Sequence, residues 1–248
     1  MTDLAFPRRV LDLWDFRDPV GSQLRFADAA ETEPVEAHRC SLLTQVARAQ
    51  GLQGEYEAGH ATLDSLGEPA ALDDEPGARA LLERGRLHNS AGDPQAAVPL
   101  FRLAFDRAQR AGLVGLAADA AHMLAIALPP EQHEEWARRG MAIAEGSDDP
   151  LATRMTAALL NNLGWTYADD ERWAEALDLF DQAIEVRRQT GDPHALLVAR
   201  WTRAMALRQL GRYEEALADL RELAATKEGA SDPYVAEEIA ENEKALAG

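Results

Sequence analysis

The clearest pattern of hydrophobic and polar positions lies in the segment from Leu159 to Pro193, LLNNLGWTYADDERWAEALDLFDQAIEVRRQTGDP. Small or apolar residues recur there every three or four positions, which is the spacing that places them on one side of an α-helix. They form two stripes, Leu160, Gly164 and Tyr167 in the first and Ala176, Phe180 and Ala183 in the second. A short polar run, 169–172, separates the stripes. The pattern predicts two antiparallel helices joined by a tight turn.

The same pattern repeats along the chain. The small residue of the first helix recurs at spacings of 38, 40, 39 and 40, as Ala47, Gly85, Ala125, Gly164 and Ala204. The second helix keeps the same spacings with Gly59, Ala97, Ala137, Ala176 and Ala216. A large apolar residue follows each of these four positions later, as Leu63, Phe101, Met141, Phe180 and Leu220. Five helical hairpins in one register are therefore predicted.

The columns of small and large residues have a physical role in helix packing. A small side chain lets two helices approach closely, and we expect the large residue to fill the gap made by the next hairpin. Because no hairpin buries its apolar face alone, stacking of neighbours must stabilise the array.

These residues resemble the tetratricopeptide repeat family over the region from about Pro34 to the C-terminus. The fourth copy, with Leu163-Gly164, Tyr167, Trp173, Ala176, Phe180 and Ala183, is close to the family pattern. In the fifth copy, Arg200 and Arg203 stand where apolar residues are expected. The family period is about 34 residues, whereas this period is near 40, which resembles the extended repeats of kinesin light chains and bacterial peptide-sensing regulators.

The resemblance implies an all-α fold, a right-handed α-solenoid of five helical hairpins with an N-terminal helical segment and a C-terminal capping helix. We expect one continuous solenoid domain, in which residues 1–33 form the N-terminal cap segment, 34–232 the five repeats and 233–248 the capping helix. The aromatics of LWDFRDPVGSQLRF are expected to plug the open end of the solenoid, with ligand binding as the alternative. Asp149-Pro150, Asp192-Pro193 and Asp232-Pro233 are typical helix starts.

Composition narrows the class of partner. The net charge of −18 disfavours nucleic acid and anionic membrane as partners. One cysteine, Cys40, cannot form an internal disulfide, and the most apolar stretch is interrupted by Asp119 and His122, so a cytoplasmic protein without a membrane span is expected. We expect no enzyme and no catalytic residues, metal or cofactor, because HExxH, paired CxxC, phosphate-loop and GxSxG motifs are all missing.

In the family that the chain resembles, the first helices line a concave groove. The resemblance therefore makes the outer stripe of each first helix the candidate peptide- or protein-binding surface. Its candidate residues are Asn161, Asn162, Trp165, Trp201, Met205, Arg208, His122, Met123, Arg79, Arg86 and Arg48. Exposed Trp and Met would mark an interaction site; the alternative is that neighbouring first helices, or the N-terminal segment, bury them.

Two kinds of polar residue refine this hypothesis. Asn162 resembles the groove asparagine with which extended repeats hold a ligand's main chain, since an amide both donates and accepts hydrogen bonds. The alternative is a hydrogen bond between helices. The arginines would make the groove less negative than the rest and suit a carboxylate or an acidic peptide, unless each is solvated or paired to a nearby glutamate.

The sequence thus favours an interaction scaffold that binds a protein or peptide segment in its groove. The alternative is a regulatory sensor whose superhelix changes shape when a peptide binds. The sequence does not indicate the partner or the oligomeric state.

Overall fold

The computed structural model describes residues 4–247, and every regular element in that range is helical. The first elements are α1 (Ala5–Asp12) and α2 (Pro19–Thr32). The following helices are α3 (Glu36–Leu52), α4 (Tyr56–Asp64), α5 (Asp74–Ser90), α6 (Pro94–Arg110), α7 (Val114–Ala127), α8 (His133–Ala144), α9 (Pro150–Asp169), α10 (Trp173–Thr190), α11 (Pro193–Gln209), α12 (Tyr213–Ala224) and α13 (Pro233–Ala247). The all-α solenoid fold is confirmed, and the handedness of its stacking stays a prediction.

The chain divides into two compact units, Met1–Met155 and Thr156–Gly248, and the boundary falls within α9. In the first unit, α3 packs on α4, α5 on α6 and α7 on α8, while α5 also contacts both α3 and α7. In the second unit, α11 packs on α10 and α12, and α13 contacts α11 and α12. Because α5 contacts both α3 and α7, the outer residues of these first helices come to lie on a shared face in the first unit. The prediction that residues 34–232 form one continuous array stays a prediction.

The size columns pack both within and between hairpins. A Cβ on Gly85 would lie 2.5 Å from Phe101, and one on Gly164 would lie 2.4 Å from Phe180, so each ring fills the space left by the glycine of its own hairpin. Leu63 of the first hairpin clusters with Leu87 of α5, which agrees with the expected contact to the next hairpin. Gly59 is also close to α5, since a Cβ there would lie 2.8 Å from Leu87.

The helix starts follow the predicted Asp-Pro chemistry. The Asp192 carboxylate accepts a hydrogen bond from the Ala195 backbone N–H at 3.0 Å, and Asp232 accepts one from Tyr234 at 2.9 Å. Asp149 accepts from Leu151 at 2.9 Å and also from Gly115 of α7 at 3.0 Å. These acceptors satisfy N–H groups that a helix leaves unpaired at its first turn.

Each tight turn between the two helices of a hairpin contains one residue in the left-handed backbone conformation, with a positive φ. Gly54, Gly92 and Gly211 have φ values of 79°, 86° and 73°. At the equivalent position between α9 and α10 stands Glu171, with φ of 60°, a conformation that costs free energy for any residue with a side chain. The third hairpin turns instead through Pro129 and a 3₁₀ turn, Pro130–Gln132, as the two prolines predict.

The N-terminal segment packs against the first hairpin as expected. Phe6 and Val10 of α1 and Phe26 of α2 form a cluster with Leu42 and Val46 of α3, and Trp14 packs against its edge. No helix within residues 4–247 has the length and apolar character needed to cross a membrane.

Candidate functional site

The repeat register separates the first-helix residues into buried and open columns. Residues two positions before the small column are buried in four hairpins, Gln45, Glu83, Met123 and Thr202, and half-buried in the fifth, Asn162. Residues one position after it are half-buried or exposed in every hairpin, and they are Arg48, Arg86, Ile126, Trp165 and Met205. We call this second set the first-helix face of each unit, with Arg48, Arg86 and Ile126 in the first unit and Trp165 and Met205 in the second. It contains four of the residues predicted from the sequence, whereas Met123 belongs to the core.

In the first unit, the predicted Arg86 lies in a charged network that joins α5 to α7. Its guanidinium donates to Glu83 at 2.6 Å and also to Asp119. Burial opposes charge on Asp119, but Arg86, followed by Arg48, lowers the pKa of this carboxyl overall. Asp119 thus stays ionised, and its ion pair with Arg86 neutralises the guanidinium. In the sequence, Asp119 is noticeable only as an interruption of an apolar stretch, so this role was missed.

Arg79 is also neutralised. It is buried on α5, and its guanidinium binds Glu75, one helical turn earlier, at 2.8 Å. The alternative considered for the arginines, pairing with a nearby acidic residue, therefore describes both Arg79 and Arg86.

Arg48 is different, because its neighbours are aromatic. Its guanidinium carbon lies 5.4 Å from the ring centre of Trp14 and 5.2 Å from that of Phe16. The two rings stack on each other at 4.7 Å, and the Trp14 indole N–H donates to Gln45 on α3 at 3.1 Å. Burial, and then the charge on Arg86, lower the pKa of Arg48 to about 10. The N-terminal segment thus lies against the first-helix face at Arg48, and ligand binding by its aromatic rings stays a prediction.

His122 is half-buried on α7, close to the same network. Burial lowers its pKa to about 4, even though Asp119 favours the protonated form. The imidazole is therefore neutral at pH 7 and adds no charge to the face. Met123, beside it, is 9% exposed.

In the second unit, the predicted asparagines lie next to each other on α9. The Asn161 amide donates to the Asn162 side-chain oxygen at 3.5 Å, and both side chains are half-buried. Trp165 packs edge-on against Phe180 of α10, with ring centres 5.8 Å apart. Packing within the hairpin therefore covers part of the Trp165 indole and leaves the rest on the first-helix face.

Two more predicted residues contact the C-terminal helix. The Trp201 indole N–H donates to the Tyr234 carbonyl oxygen at 3.1 Å, and the Arg208 guanidinium binds Glu238 at 2.5 Å. Glu238 is buried and raises the pKa of Arg208. Both side chains thus hold α13 in place, while Met205 lies between them on α11, half-buried.

Ion pairs account for the two arginines of the fifth hairpin that stand where the repeat pattern has apolar residues. Arg200 binds Asp219 and, at 3.0 Å, Glu222 of α12. Arg203 binds Asp181 of α10 at 2.6 Å and Asp219 at 3.4 Å. An ion-pair network here replaces the apolar contact. Within residues 4–247, no three His, Cys, Asp or Glu side chains are grouped so that they could hold a metal ion.

Comparison with known proteins identifies the repeat. Residues 155–228 match the tetratricopeptide repeat family. No curated protein matches the chain significantly.

Solved structures extend the likeness of fold to the whole chain. BtubC (BKLC) from P. vanneervenii is 15% identical, with a TM-score of 0.64 over 99% of this chain and 94% of that one. The apo form of RapI is 10% identical, with a TM-score of 0.66 over 98% of this chain and 72% of that one. A Podospora anserina protein described as a kinesin light chain with nearly identical tetratricopeptide-like repeats is 16% identical, with a TM-score of 0.52 over 86% and 100%. At these identities the likeness establishes the fold.

Proposed function

Because residues 155–228 are tetratricopeptide repeats and the whole chain folds as tetratricopeptide-repeat proteins do, we propose that it is a non-enzymatic interaction scaffold. It binds a peptide or protein segment along the first-helix face. The observation that carries this proposal is the open column itself, in which Arg48, Arg86, Ile126, Trp165 and Met205 stay partly uncovered by their own hairpins. Arg, Trp and Met are side chains enriched in the cores of protein interfaces.

The chemistry of the first-helix face differs between the two units. The first unit offers the Arg48 guanidinium and the aromatic stack, while the second offers an amide pair beside Trp165 and Met205. An amide can satisfy the main chain of an extended peptide, and Trp and Met can contact its apolar side chains. We therefore propose that the face of the second unit binds main chain and apolar groups, and that the face of the first unit recognises a charged group.

A displayed library of random peptides tests this function directly. Peptides enriched on the wild-type chain are synthesised and measured against Arg48→Gln, Asn162→Ala and Met205→Ala. We expect at least one of these changes to weaken binding by roughly ten-fold or more, as for a residue central to an interface. The matched controls are Arg110→Gln and Arg188→Gln, which remove exposed arginines from the second helices α6 and α10.

The controls are expected to leave affinity within about two-fold, since isolated surface charges contribute little. Peptides whose binding depends on the control arginines and not on the first-helix face would contradict the proposal, and so would a library that yields no binder. The alternative function, a sensor that changes shape, predicts in addition that a bound peptide lowers the radius of gyration in solution scattering.

A further inference from the structure

Arg48 differs from the other arginines that were predicted to line the binding face. Arg79, Arg86 and Arg208 each donate to a carboxylate. Among residues 4–247, no carboxylate forms an ion pair or a hydrogen bond with Arg48, and its described contacts are the rings of Trp14 and Phe16. A guanidinium carries five N–H donors in a plane that matches a carboxylate. Arg48 therefore has donors for which the described part of the chain supplies no acidic partner.

The charges around Arg48 do not replace such a partner. The acidic groups nearest in effect, Glu83 and Asp119, are already bound to Arg86. Burial is the largest cause that lowers the pKa of Arg48, and repulsion from Arg86 lowers it by more than either carboxylate raises it. An anion bound beside Arg48 would therefore stabilise a charged guanidinium that its surroundings disfavour.

The aromatic stack gives this site an apolar wall. Trp14 is fixed, because it donates to the buried Gln45 and packs at 5.0 Å from Phe26. Phe16 is 44% exposed, and the guanidinium of Arg154 also contacts its ring, at 5.6 Å. A large apolar side chain that is held beside a cation yet left open to water can contact a ligand on its free surface.

From this geometry we propose that Arg48 and the Trp14–Phe16 stack form a site for one carboxylate of a bound peptide, with the apolar side chain next to that carboxylate packed on Phe16. The inference rests on the proposed function, because it specifies which chemical group the first unit recognises. It also assigns a binding role to the N-terminal segment, which lies outside the repeats.

The charge of the whole chain limits the rest of the ligand. At a net charge of −18, a peptide with several acidic residues would be repelled at long range. The structure therefore favours a segment with a single carboxylate, in an otherwise neutral or basic context. Binding of a neutral or basic peptide of this kind is not expected to improve as salt is raised, whereas binding of a polyacidic peptide would improve through screening.

Two small probes that differ only in the carboxylate test the site. N-acetyl-L-phenylalanine and N-acetyl-L-phenylalanine amide are titrated into the full chain while NMR follows the side-chain Nε–Hε signals of the arginines. We expect the acid to shift the Arg48 signal with a dissociation constant on the order of 1 mM, as befits so small a ligand. The amide is expected to bind at least about ten-fold more weakly, because it lacks the charge-assisted hydrogen bonds.

Three variants assign the effect to the proposed groups. Arg48→Gln should abolish the difference between acid and amide, and Phe16→Ala should weaken the acid by roughly five-fold through loss of ring contact. Arg110→Gln removes the same charge from α6 and should leave the titration unchanged. Phe16 is exposed enough that its variant is expected to fold, so the test does not depend on Arg48→Gln alone, and circular dichroism verifies both.

Equal binding of acid and amide, or full binding by the acid to Arg48→Gln, would overturn the site. Tighter binding of inorganic phosphate than of the acid would also overturn it, since the site is proposed for a monoanion. Its failure is distinct from failure of the scaffold function: library peptides that bind through the second unit without regard to a carboxylate would leave the scaffold function intact.

Discussion

The pairing of glycine with phenylalanine inside a hairpin leads to the sharpest test of the packing. In the second and fourth hairpins the small residue is glycine and the large one is phenylalanine, Gly85 with Phe101 and Gly164 with Phe180. In the other three the small residue is alanine and the large one is aliphatic, Ala47 with Leu63, Ala125 with Met141 and Ala204 with Leu220. A phenyl ring on the second helix thus goes with glycine on the first helix, and a smaller side chain on the second helix goes with alanine on the first.

We predict that Gly85→Ala is destabilising and that Phe101→Leu suppresses the effect. The new Cβ would stand 2.5 Å from the Phe101 ring, which is fully buried and cannot move aside. Overpacking of this kind costs about 1–3 kcal/mol, and the helix propensity of alanine returns about 1 kcal/mol. The net loss is therefore about 0–2 kcal/mol. Phe101→Leu alone should cost roughly 1–2 kcal/mol, because it leaves a cavity beside the glycine.

The double variant should be more stable than the sum of the single changes by about 1–3 kcal/mol, within the range of coupling between residues in contact. Urea unfolding followed by circular dichroism measures each free-energy change. Gly85→Ala combined with Phe180→Leu serves as the control, because Phe180 packs on Gly164 of a different hairpin and the two effects should add. Additivity of Gly85→Ala and Phe101→Leu to within about 0.5 kcal/mol would refute the shared-space argument.

Three further predictions follow from single side chains. Glu171→Gly should stabilise the chain by about 1 kcal/mol, because Glu171 has φ of 60° where three other turns have glycine; an unchanged or lowered midpoint in urea would contradict this. His122 has a pKa of about 4 in the folded chain and about 6.5 when unfolded, so the unfolded chain binds more protons between these pH values. The free energy of unfolding should therefore fall by on the order of 2–3 kcal/mol as the pH drops from 7 to 4. Thermal melts of wild type and His122→Gln should show a smaller fall in the variant. Arg208→Met should leave the buried Glu238 carboxylate with the Asn242 amide as its remaining side-chain partner, at a cost of about 1–3 kcal/mol. Hydrogen exchange should then be faster in α13 than in wild type, and Arg221→Met, which removes an exposed ion pair, serves as the control.

Most of the helical architecture could be predicted because its signals are local. The Asp-Pro starts, the turn glycines and the stripe spacing each depend on residues within one turn of helix, and the structure places Asp192 and Asp232 as caps where the sequence does. The size compensation between Gly85 and Phe101 was present in the same columns. The columns alone do not show that Phe101 also packs within its own hairpin, because the register aligns residues without showing which neighbour each one faces.

The burial of the candidate residues could not be predicted in the same way. Asn162 and Met123 occupy the same column, yet the first is half-buried and the second is core. Exposure in this column depends on how closely neighbouring helices pack, and that distance is set by residues of another repeat. A helical stripe identifies the direction in which a side chain leaves the helix, and the packing of the neighbour decides whether that direction ends in solvent.

The arginines show why composition alone overstates a charged face. Arg48 and Arg86 stand one position after the small column in consecutive hairpins and cannot be distinguished by residue type or register. Their difference comes from Asp119, which binds Arg86 from the third hairpin, and from Trp14 and Phe16, which contact Arg48 from outside the repeats. A guanidinium that already holds two carboxylates gains little from a third, because the Coulomb attraction is balanced before the ligand arrives and the ligand's desolvation is not repaid. Specificity for a carboxylate on this face therefore depends on Arg48, whose described contacts are rings, and not on the number of arginines.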